Sequence, residues 1–71
     1  MNFLDKLEIE FQELNTKIDN LESFIDSKKF KELNNKNQLL LFKQRNHMNQ
    51  YKRILKERIE INKDEQSNIT K

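Results

Sequence analysis

Glycine, proline and cysteine are all absent from this chain of 71 residues. Without glycine there is no Gly-rich loop to cradle a phosphate. Without cysteine there is neither a disulfide framework nor a thiolate metal site. His47 is the single histidine. It has no carboxylate partners at ligand spacing, so no metal site is expected. Centres of the Ser-His-Asp or Cys-His kind need residues that this chain mostly lacks. The expectation is a protein that is not an enzyme and needs no cofactor. The longest apolar run is Leu39 to Phe42, too short for a transmembrane span or a signal peptide. No membrane partner is expected, and the expected location is the cytoplasm.

Alanine and valine are missing too, whereas Asn, Lys and Ile are abundant, as in proteins of A/T-rich genomes. With no helix breaker and 37% charged residues, the chain reads as long helices. The first, at about 3 to 26, has an unbroken heptad: Leu4, Leu7, Phe11, Leu14, Ile18, Leu21 and Ile25. Ile9 falls on the opposite side. A connection over 27 to 35 carries one helical turn, with Ser27 as its N-cap and Phe30 and Leu33 plugging the end of the hairpin. Asn34 and Asn35 stand in for the missing glycine, because Asn tolerates left-handed backbone. Asn35 and Gln38 have capping-box spacing. The second helix runs from about 36 to 62, and residues 63–71 read as a frayed tail. Its expected buried line is Leu41, Gln44, Met48, Tyr51 and Leu55, reaching Arg58, with Leu40, Ile54, Ile59 and Ile61 alongside.

The expected fold is all-α. It is an antiparallel two-helix hairpin of coiled-coil type, one domain over 1–62, with a short helical turn at the connection. A hairpin alone leaves Phe3, Phe24, Leu39, Phe42 and Ile61 in surplus. Self-association into a four-helix-bundle dimer, or a higher oligomer, covers them. The expected core and oligomer residues are Leu7, Phe11, Leu14, Ile18, Leu21, Ile25, Phe30, Leu41, Met48 and Leu55.

Charge divides between the helices. Residues 1–26 hold seven acids against two lysines, a balance of −5; residues 27–71 hold twelve Lys or Arg against five acids, or +7. A basic helix is most often a solvated face. Duplex nucleic acid is disfavoured because the acidic first helix repels phosphate. A membrane surface is disfavoured because both signs share the polar faces.

The stretch QRNHMNQYKRILKERI, residues 44–59, places an amide, a phenol and a guanidinium on the expected buried line. As structure, Tyr51 buries its ring while Gln44 and Arg58 pack their stems and keep their heads wet. As function, the same phenol stacks on a base, and Arg45, Lys52, Lys56 and Arg58 contact phosphates. The candidate ligand-binding set is therefore Arg45, Tyr51, Lys52, Lys56 and Arg58.

Residues 14–59 also carry a longer pattern: Leu14, Lys17, Leu21, Phe24, Ile25, Ser27, Phe30, Leu33, Gln38, Leu40, Leu41, Gln44, Met48, Tyr51, Leu55, Arg58 and Ile59. It resembles a family of small phage proteins related to a crAss-like phage protein. The family has Ala before the Met and Glu before the Tyr, where this chain has His47 and Gln50. The resemblance implies an accessory role in phage, with counter-defence foremost. Phage helical hairpins of similar outline act as sponges for immune cyclic nucleotides. The leading expectation is therefore sequestration, without catalysis, of a negatively charged nucleotide signal in an infected bacterial host. The alternatives are an inhibitor that binds a host defence protein, such as a CRISPR effector, through its helical faces, and a purely structural oligomerisation module.

Overall fold

The computed structural model of the chain describes residues 2–69. The chain is all-helical: α1 spans Phe3–Ile25, α2 Lys28–Glu32 and α3 Asn35–Ile69. Lys52 lies over the Phe11 ring and Arg58 over the Phe3 ring, so α3 runs back along α1 as the second arm of a hairpin. The result is a rod with extents of 56 × 17 × 15 Å. Helix α3 has 35 residues against 23 in α1. It outruns the start of α1 and continues past the end expected near residue 62. Residues 70 and 71, the end of the expected frayed tail, lie outside the described residues.

Each helix begins on a side-chain cap. Asn2 Oδ1 accepts from the Asp5 amide at 2.8 Å, and Ser27 Oγ accepts from the Phe30 amide at 3.3 Å. Asn34 Oδ1 accepts from the Asn37 amide at 2.8 Å. Asn34, rather than Asn35, therefore caps α3. Gln38 makes no capping box. Its Nε2 reaches back instead, donating to the carbonyls of Phe30 at 3.0 Å and Leu33 at 3.1 Å. Those carbonyls lie at the end of α2, where that of Phe30 also accepts from the Leu33 amide at 3.1 Å.

The chain reverses without glycine because no described residue has a positive φ. Extended backbone at Ser27 (ψ 164°) and Leu33 (ψ 152°) brackets the five residues of α2 and turns the chain in two bends. No left-handed residue is needed, so Asn34 and Asn35 do not substitute for glycine in that sense.

The core holds Leu4, Leu7, Leu14, Ile18, Leu55 and Ile59, with Phe11 and Met48 packed against it. Phe30 is buried at the closed end. Its ring meets Phe24 edge-on at 6.3 Å and Phe42 at 5.3 Å. Phe24 and Phe42 are thus half-buried against the plug rather than left over for another subunit. Leu21, Ile25 and Leu41 are also half-buried. Ile9 is exposed on the outer side of α1.

Candidate functional site

Three lines of side chains run along α3. The line facing α1 is Leu41, Arg45, Met48, Lys52, Leu55, Ile59 and Asn62, all buried or half-buried. Its steps alternate four and three, as a seam requires. Gln44, Tyr51 and Arg58 were expected on this line and are not: all three are exposed. Each seat belongs to the next residue along, Arg45, Lys52 or Ile59.

The physical reason lies in the stems. Arg and Lys lay their methylenes along apolar surface and keep their charge at the edge. Here a ring holds each charge as well. The Arg45 guanidinium sits 5.2 Å from the Phe42 centroid and the Lys52 ammonium 6.0 Å from that of Phe11. Such contacts contribute about 0.5–1 kcal/mol at partly exposed sites.

Moving the seam one residue back gives a second line, turned about 100° around the helix. It comprises Leu40, Gln44, His47, Tyr51, Ile54, Arg58 and Ile61, all exposed. Leu40, Ile54 and Ile61 each keep more than half of their surface in water, and Tyr51 keeps 42%. The Arg58 guanidinium stands 5.8 Å from the Phe3 centroid, joining this line to the start of α1. Gln44 Nε2 points along the helix to Met48 Sδ at 3.8 Å.

Moving the seam one residue forward gives a third line on the opposite flank. It carries Asn46, Asn49, Arg53 and Lys56. With Gln50 and Lys52 they line an open groove of about 510 Å³. Its lining has three cations, three amides and no carboxylate. A second groove of about 460 Å³ lies between α1 and α3 and shares Lys56. There Glu8 and Glu60 offset Lys56 and Lys63. An anion is therefore favoured by the first groove and not by the second. Cations supply charge-assisted hydrogen bonds to phosphate, and amides supply donors and acceptors to base edges.

The five candidate ligand residues divide accordingly. Lys52 and Lys56 lie together in the basic groove. Arg45 sits in the seam beside Phe42, while Tyr51 and Arg58 lie on the far flank. Arg53 and the amides of Asn46, Asn49 and Gln50 also line the groove and are not among the five. The recurrence of polar residues at 46, 49, 53 and 56, one step past the seam, is the signal that would have found them.

The family model named Sequestin matches residues 1–61, and the chain belongs to that family. The family name denotes sequestration, which is binding rather than catalysis. No curated protein and no solved structure shows significant similarity to the chain. Among the described residues, no helix is long and apolar enough to cross a membrane.

Proposed function

We propose that the chain is a phage or prophage accessory protein that antagonises host immunity by sequestering a negatively charged nucleotide signal. A cyclic nucleotide is the leading ligand class. The protein holds it without chemistry, acts in the cytoplasm of the infected bacterium and works as a self-associated hairpin. The observation that carries the reading is the groove lined by Asn46, Asn49, Gln50, Lys52, Arg53 and Lys56. Membership of a family named for sequestration supports the same reading.

The test is a thermal-shift panel of cyclic di- and trinucleotides and ADP-ribose derivatives, followed by calorimetry on any that bind. A ligand present at about 100 times its Kd stabilises the fold by roughly 2.7 kcal/mol. Arg53→Glu with Lys56→Glu should weaken that ligand by at least about tenfold, or 1.4 kcal/mol. Ile9→Ser, on the outer side of α1, should leave it unchanged. The exposed line from Leu40 to Ile61 supports a second reading, inhibition of a host defence protein through a helical face. In that case Ile54→Lys abolishes counter-defence, and the groove variants retain it.

A further inference from the structure

The outermost positions of α3, at heptad intervals, read Lys36, Lys43, Gln50, Glu57 and Asp64, and all five are exposed. The order is antisymmetric about Gln50: two lysines on one side, two acids on the other. These residues border the exposed line that carries Leu40, Tyr51, Ile54 and Ile61. From this juxtaposition we infer that the exposed line of α3 is the docking surface for a second copy of this chain, laid antiparallel about a two-fold axis beside Tyr51.

Charge order selects both the occupant and the direction. About that axis Lys43 faces the partner's Glu57, and Lys36 faces the partner's Asp64. A parallel arrangement sets lysine against lysine and acid against acid, and like charges across an interface cost energy. A second copy of the same helix carries the reversed charge order at the same spacing, which is the self-complementarity an isologous contact requires. The axis sets Tyr51 against the partner's Tyr51, and Ile61 against the partner's Leu40.

Area points the same way. Phe3, Leu40, Tyr51, Ile54 and Ile61 are between 42% and 59% exposed. Together they offer on the order of 500–600 Å² per protomer. Gln44, His47 and Arg58, also exposed, lie between them on the same face.

The inference rests on the self-association included in the proposed function, and it adds the surface, the direction and a stoichiometry. Most of the basic groove lies on the opposite flank of α3, with Gln50 between the groove and the interface. A pair joined through the exposed line therefore carries two grooves, one on each protomer.

Because the chain has no cysteine, single substitutions report distance directly. Tyr51→Cys should form an intermolecular disulfide under mild oxidation, since those positions meet at the axis. Leu40→Cys should not, because the two copies lie about 33 Å apart along the helix, far beyond disulfide reach. Light scattering on the intact chain should give a dimer mass, falling to half in Ile54→Lys with helicity unchanged by circular dichroism. Lys43→Glu should weaken the dimer, and Lys43→Glu with Glu57→Lys should restore it. A monomeric wild type overturns the inference, as do a dimer that survives Ile54→Lys and a disulfide in Leu40→Cys equal to that in Tyr51→Cys. Calorimetry with the cyclic dinucleotide panel is run on the same variants. Binding by a monomeric Ile54→Lys protein leaves sequestration standing, whereas a dimer that binds no member removes sequestration and keeps the interface.

Discussion

Lys52 belongs to the seam and to the groove at once, and substitution can separate the two roles. Its stem is half-buried and its ammonium lies 6.0 Å from the Phe11 centroid. Lys52→Met keeps the stem. It loses a cation–π contact of about 0.5–1 kcal/mol and removes the cost of partly desolvating an ammonium. Stability measured by urea denaturation should stay within about 1 kcal/mol of wild type. Binding in the groove should still fall, because one of its three cations is gone. Leu55 is the opposite case, being fully buried and purely apolar. Leu55→Ala should cost about 2–5 kcal/mol. A chain of this size has only a few kcal/mol in total, so the same denaturation experiment should find the variant largely unfolded. Tyr51 is exposed, so Tyr51→Phe should move the stability of the separated hairpin by less than about 0.5 kcal/mol.

At the scale of elements, the closed end is held by a five-residue helix. Phe30 fills it, Ser27 starts it, and Gln38 satisfies the carbonyls where it stops. Phe30→Ala should cost about 3–5 kcal/mol and leave Phe24 and Phe42 without the ring that joins them. Asn34→Ala removes the α3 cap and should cost about 1 kcal/mol, read as a lower Tm. Much of this was legible in the residues. Leu7, Leu14, Ile18 and Phe30 are buried as the α1 heptad and the plug imply. On α3 the reading kept Leu41, Met48 and Leu55 and misplaced every alternate seat by one residue. At the first two of those seats the cause is the same. A pattern read by hydrophobicity prefers Gln44 and Tyr51 to their neighbours Arg45 and Lys52, yet long cationic stems pack well against Phe rings. The groove is not legible in the residues for the same reason, because its line is defined only by the position of the seam.

For the whole molecule, the rod is 56 Å long and about 16 Å across, so almost every residue lies near the surface. A hairpin of this kind depends on what covers its second apolar line. If that cover is another copy, the protein's Tm must rise with its own concentration. Diluting it about a hundredfold should lower stability by roughly 2.7 kcal/mol per dimer. A calorimetric scan at two concentrations checks this, and a concentration-independent Tm refutes it. The three lines of α3 have a further consequence, for how freely the sequence can drift. With one line against α1, one assigned to the partner and one to the ligand, α3 has almost no neutral side left. Asp5, Gln12, Thr16, Asp19 and Ser23 on the outer side of α1 are exposed and have none of these duties. In a saturating mutational scan those α1 positions should accept most amino acids, while tolerated changes along α3 between Leu40 and Ile61 should be sparse. Genetic variation in the protein would then accumulate on one helix while the other is held nearly fixed.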